Sequence, residues 1–115
     1  MTCQMVIEPL EQDAVRVVVT GELAGSSAYT LDTELRKVEV MQPHWLVLDL
    51  SALSFIDSAG LARLLAAHRR AKRDRRRFAV VQGAGAVRRL IALTALNQQL
   101  EVFTEASAAV AALHA

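Results

Sequence analysis

The chain has a single cysteine, Cys3, among its 115 residues, so no disulfide can form within it and its stability must come from a packed core. One thiol suits a reducing cytoplasm, the expected compartment. Histidine is scarce as well. His44, His68 and His114 are scattered without ligand spacing, and no metal is expected. Long apolar runs are missing: residues 46–48 and 108–113 fall far short of the roughly 20 residues a membrane-spanning helix needs, so no membrane segment is expected. The opening Met1-Thr2-Cys3-Gln4 lacks a basic region, an apolar stretch and a cleavage site, and no signal peptide is expected. No Gly-x-Ser-x-Gly frame exists to expose a nucleophile, and no histidine is placed to serve it as a base. The chain therefore reads as a non-enzyme that needs no cofactor. Gly83-Ala84-Gly85 precedes a helical pattern, but Arg88 stands where a dinucleotide loop has its third glycine and there is no Walker lysine. A tight turn is the simpler reading.

What is present is a globular composition, 53% apolar and 22% charged, at the common length of one domain spanning residues 1–115. Charge is unevenly spread. Residues 1–57 hold nine acids and three bases, residues 58–115 three acids and ten bases, an asymmetry that folding can interleave and cancel.

Residues 14–20 are rich in β-branched side chains and read as a strand. A shorter candidate at 3–7, across a turn-like 8–13, makes an antiparallel hairpin with it. Ser26 and Ser27 offer caps for a first helix carrying Leu31, Leu35 and Val38, which runs to about Val40 before Pro43. Residues 45–50 form an apolar run with little alternation, as in a strand covered on both faces. A second helix starts near Ser58 with Leu61, Leu64, Leu65 and His68 on one stripe. Then follow a strand at 78–81, a helix with Val87, Leu90, Ile91 and Thr94 on one face, a short strand at 101–103, and a terminal helix capped by Thr104 or Ser107. Strands separated by helices imply crossovers. The predicted class is α/β: a mixed, mostly parallel sheet of four to five strands packed with about four helices.

In such sheets, ligands and partners meet the carboxyl ends of the strands. The loop after the central strand reads Ser51-Ala52-Leu53-Ser54-Phe55-Ile56-Asp57-Ser58-Ala59-Gly60-Leu61, where Phe55 and Ile56 can bury the loop while Asp57 and Ser58 stay near the surface. Either Asp57 or Ser58 can cap the second helix, leaving the other in its first turn. A hydroxyl there suits phosphorylation, because unpaired N–H groups and the helix dipole tolerate a phosphate.

Here the sequence resembles the STAS domain family, named for sulfate transporters and anti-sigma-factor antagonists. Thr20-Gly21-Glu22-Leu23 is similar to that family's TGEL-type turn, and Leu48-Asp49-Leu50 with Phe55-Ile56-Asp57-Ser58-Ala59-Gly60-Leu61 resembles its central strand and DSxGL signature. Val87-Arg88-Arg89-Leu90 and Leu93-Thr94-Ala95-Leu96 resemble its third-helix pattern. The resemblance implies an anti-sigma-factor antagonist. Such a protein binds an anti-sigma factor with a histidine-kinase-like ATPase fold, is phosphorylated by it at the serine matching Ser58, and is reset by a metal-dependent serine phosphatase. Glu22, Ser54, Asp57, Ser58, Ala59, Gly60 and Leu61 are the expected partner-binding residues. A scaffold or accessory subunit of a stress-signalling or lipid-transport assembly is the alternative within the fold, and a small phosphate-binding hydrolase would have to show turnover. Ala24, Ala59 and Ala95 depart from the frequent Asp, Ser and Gly.

Residues 69–77 hold seven of the thirteen bases. Cations near a helix carboxyl end complement its dipole, and no aromatic platform lies beside them. They read as a solvated face or a surface for an acidic protein, and nucleic-acid binding is not expected.

Overall fold

The computed structural model describes residues 2–113, so His114 lies outside the described residues. Chain order is β1 (Cys3–Leu10), β2 (Ala14–Leu23), α1 (Ser26–Val40), β3 (Trp45–Asp49), β4 (Leu53–Ile56), α2 (Ser58–Arg73), β5 (Arg77–Val81), α3 (Ala86–Thr94), a 3₁₀ turn at Leu96–Gln98, β6 (Glu101–Phe103) and α4 (Ala106–Leu113). The α/β class and four helices are as expected. The sheet has six strands rather than four to five, in the order β1-β2-β3-β5-β6, with β4 also paired to β2. Only β1 runs antiparallel to its neighbour.

The extra strand is β4, inside what the sequence reads as loop. Its four residues are too few for a period to show. It forms because β2 outruns β3: pairing with β3 ends at Val18↔Asp49, and Gly21 to Leu23 pair with β4, with a register shift between Gly21 and Glu22. Only Ile56 of the two apolar residues expected to bury this segment does so; Phe55 is 44% exposed.

The hairpin is longer than its sequence pattern suggests, and Pro9 belongs to β1 rather than to the turn. The hydrogen bonds explain why. The Glu22 N–H donates to the Thr2 carbonyl, the His44 N–H to the Asp13 carbonyl, and the Ser54 hydroxyl to the Gly21 carbonyl. Even-numbered residues of β2 thus turn their amide groups to β1, and odd-numbered ones to β3 and β4. Through the register from Cys3↔Gly21 to Leu10↔Ala14, the amide groups of Cys3, Met5, Ile7 and Pro9 face the open edge. A proline there loses no ladder bond.

The main core lies between the sheet and α1, α2 and α3. It includes Val17, Val19, Leu31, Leu35, Leu48, Leu64, Val80 and Ile91, each at most 2% exposed. A smaller cluster of Trp45, Val47, Ala79, Val81 and Ala109 fills the other face under α4. Both faces of β3 and β5 are therefore covered, which accounts for their unbroken apolar runs.

The arginine run is only in part the solvated face expected of it. Arg70 is 7% exposed; its guanidinium donates to the Asp32 carboxylate at 2.9 Å and to Glu39 at 2.7 and 2.9 Å, which ties α2 to α1. Arg76 donates to the backbone carbonyls of Pro43 and Glu39, and Arg77 pairs with Glu101 while stacking 4.0 Å above the Trp45 ring. Arg69, Lys72, Arg73 and Arg75 remain exposed. Folding has interleaved the two oppositely charged halves. Arg16 likewise joins Glu8 and buried Asp49.

Candidate functional site

The carboxyl ends of β2 and β4 meet the amino terminus of α2. Asp57 sits in extended conformation as the helix cap, and its Oδ1 accepts the Gly60 N–H at 3.0 Å. Its other oxygen accepts the Gly25 N–H at 3.3 Å, so one carboxylate joins the start of α2 to the loop entering α1. The Asp57 N–H donates to the Leu23 carbonyl. Of the two residues that could cap the helix, Asp57 takes the position. Ser58 is left exposed as the first helical residue, and no bond of its hydroxyl occurs among the described hydrogen bonds.

The helix start rests close on β2. A side-chain carbon placed on Gly60 would stand 2.5 Å from the Leu23 carbonyl oxygen and 2.9 Å from Ile56 Cγ1, so only glycine fits. Gly60 is buried and sets the height of Ser58 above the sheet; Ala59 and Leu61 beside it are half-buried against the core. Ser54 anchors β4 to β2 through its bond to the Gly21 carbonyl at 2.8 Å, with Glu22 half-buried on the facing strand. All seven residues singled out in the sequence therefore belong to one pole, but they differ in access. Ser54 and Ser58 are open, and Gly60 lies beneath.

Sequence reasoning missed Phe55 and Tyr29 as surface groups. Phe55 stands exposed on β4 three residues before Ser58. Tyr29 is 62% exposed on the first turns of α1, with the Arg63 guanidinium of α2 5.2 Å from its ring centre. An isolated apolar letter in the sequence gives no sign of such exposure. Ala24 is fully buried, and its amide donates to the Ser27 hydroxyl, which bonds back to the Glu22 and Ala24 carbonyls. That closes the β2–α1 loop without a side-chain cap from Ser26 or Ser27 on α1.

The other groups singled out in the sequence do not join this pole. His68 is half-buried with its ring 6.5 Å from Phe78; burial, then the charges of Lys72 and Arg69, hold its pKa below the usual value. His44 is exposed at the foot of β3. Gly83 adopts a φ of 65° and lies 2.9 Å, measured from a would-be side-chain carbon, from Ser51, as a tight turn requires. Among the described residues there is no cluster of three or more metal-ligating side chains, and no helix is long and apolar enough to cross a membrane.

Comparison with known proteins agrees with this architecture. An anti-sigma factor antagonist from Mycobacterium paratuberculosis matches with a TM-score of 0.90 at 29% identity, over 99% of this chain and 96% of that one. The anti-sigma factor antagonist SpoIIAA in its unphosphorylated form matches at 0.77 and 18% identity, over 97% and 98% of the two chains. The phosphorylated form of the Bacillus cell fate determinant SpoIIAA matches at 0.69 and 18%, over 91% and 96%. No match is found among curated proteins. The STAS domain family model spans residues 7–109, from within β1 into α4 and across the whole Asp57–Ser58 pole, and the chain belongs to the STAS domain family.

Proposed function

We propose that the chain is an anti-sigma-factor antagonist whose binding is switched at Ser58. In its unmodified form it engages an anti-sigma factor with a histidine-kinase-like ATPase fold in the cytoplasm, releasing a sigma factor. That partner transfers the γ-phosphoryl group of ATP to the Ser58 hydroxyl, giving phosphoserine and ADP, and a metal-dependent serine phosphatase restores the hydroxyl by hydrolysis, releasing inorganic phosphate. The chain itself acts as a binding module and not as an enzyme.

The observation that carries this reading is the division of labour between Asp57 and Ser58. Because Asp57 takes the Gly60 amide, the Ser58 side chain has no capping duty and faces solvent at the helix start. A phosphate there meets the positive end of α2. Ser54, Phe55 and Asp57 beside it in the chain offer polar and aromatic contacts to a partner, and the likeness to solved anti-sigma factor antagonists supports the same role.

The test is phosphate transfer in vitro from ATP by the anti-sigma kinase recovered with the chain. Ser58→Ala should bind that kinase, incorporate no phosphate and stay bound when ATP is added. Incorporation equal to the parent protein would place the switch elsewhere, and a chain that binds no anti-sigma factor would remove the reading altogether.

A further inference from the structure

The sheet ends on one side in a long open strand. β1 is eight residues, exposes Val6 at 64% and Ile7 at 48%, and is paired only on its β2 side. The opposite edge, β6, is three residues. Long, flat, apolar edges are templates for another strand, and proteins usually blunt them with lysine, proline or shortness. Here the single guard is Pro9, placed at the far end of the edge. The one charged side chain of β1, Glu8, is held by Arg16 at 3.2 Å within its own chain. The stretch from Cys3 to Ile7 therefore presents no charge to repel a second copy.

We propose that β1 pairs antiparallel with β1 of a second copy of this chain about a two-fold axis at Met5. The direction of the backbone groups selects this register. Cys3, Met5 and Ile7 turn both N–H and C=O to the open edge, whereas Gln4, Val6 and Glu8 are engaged with β2. With Met5 opposite Met5 of the second copy, Cys3 meets Ile7 and Ile7 meets Cys3, and every outward amide finds a partner. Shifting the pairing toward the turn sets Pro9 opposite Cys3 or Met5 and forfeits a donor. The chosen register keeps Pro9 outside the paired stretch, where it stops the ladder. Beside the edge, a groove of about 290 Å³ between β1 and α1 is floored by Met5, Ile7, Val17 and Leu35 and is open to the apolar side chains of the second strand. The paired sheets form one continuous sheet of twelve strands by doubling the six. Ser58, on the helix that follows β4, lies outside the paired stretch of β1, so the pairing does not depend on the proposed switch.

Sedimentation of the full chain over a concentration series tests this, with Met5→Pro as the key variant. Proline at position 5 removes an outward N–H and leaves the bonds between β1 and β2 in place, and circular dichroism checks that the fold persists. The parent protein should reach twice the monomer mass, and Met5→Pro should remain monomeric. A Cys3→Ser/Met5→Cys protein, with its lone thiol on the axis, should form a disulfide-linked dimer on mild oxidation faster than Cys3→Ser/Ile7→Cys, because opposed Cα atoms of a hydrogen-bonded pair lie about 5.5 Å apart, within disulfide reach. A parent protein monomeric at every concentration, as an edge reserved for a foreign strand would give, overturns the proposal. So does a dimer that survives Met5→Pro, or cross-linking that favours position 7.

Discussion

One carboxylate sets the geometry at Ser58. Asp57 holds an amide of its own helix and the Gly25 amide of the preceding crossover loop, so the two segments that frame the serine move together. Sequence alone leaves open which of Asp57 and Ser58 is the cap, because both side chains satisfy a helix start equally well in isolation. The Gly25 amide, 32 residues away in sequence, decides it, and no local pattern reveals that contact. A second residue-scale feature concerns Ala95. It ends α3 with a φ of 56°, in the left-handed region, at a place where the resembling pattern often has glycine. An alanine there carries a steric cost of roughly 1–2 kcal/mol that glycine avoids, set against the greater freedom glycine regains on unfolding. Ala95→Gly should therefore raise unfolding stability by up to about 1 kcal/mol, measured by urea titration with an unchanged slope. A loss of stability would mean that the exposed turn relaxes its strain elsewhere.

Between elements, the main lesson is how much of the charge is structural. Four helices and four of the strands were legible because their apolar or β-branched runs are long enough to be read, and the three-residue β6 because it stands between two helical patterns. β4 was not, since it exists only by virtue of β2 extending past β3. The arginine run was legible as a helix end but not as a clamp: its partners Asp32 and Glu39 lie on another helix, and sequence spacing says nothing of that. Arg70 is the test. Removing it leaves the Glu39 carboxylate without its cation and Asp32 with Arg36 as its main partner, and breaking such a largely buried pair costs about 3–5 kcal/mol. Arg70→Ala should lower stability by that order, whereas Arg69→Ala, at an exposed position one residue earlier, should stay within about 0.5 kcal/mol. Acid should act on the same clamp. Burial would raise the Asp32 carboxyl, but hydrogen bonds and charge from Arg36 and Arg70 overrule it and hold the pKa below the usual range; Asp49, bonded by Ser51 and Arg16, is depressed against its burial in the same way. Each carboxylate therefore adds stability that is fully present above its unfolded pKa of about 3.9 and is lost as pH falls through its lower folded value. Melting temperature should hold from neutral pH to about pH 5 and fall below pH 4, with a shallower fall in Asp49→Asn, which cannot titrate.

Across the whole molecule, the Ser58 side chain stands outside the core although its neighbours Ala59 and Leu61 pack against it, and this bears on regulation. The surface serine stands on a helix start fixed by Gly60 against Leu23 and by Asp57 against Gly25, while the main core lies between the sheet and three helices. Phosphorylation at Ser58 adds about −1.5 to −2 charges next to Asp57. Inside the domain the repulsion is offset by the dipole of α2, a helix of 16 residues, and by first-turn amides that the helix itself cannot satisfy; solvent screens the remainder because the side chain is exposed. At an interface those compensations shrink. The phosphate must lose water and fit where a hydroxyl fitted, and a penalty of about 1.4 kcal/mol already weakens binding tenfold. Calorimetric titration of the phosphorylated chain against its anti-sigma factor should therefore show at least a tenfold loss in affinity, while the melting temperature of the isolated chain moves by no more than about 2–3 °C, since a domain of this size shifts roughly 4–8 °C per kcal/mol. Equal affinities of the two forms would deny the switch, and a large drop in melting temperature would mean that phosphorylation acts by loosening the fold instead of by blocking a surface.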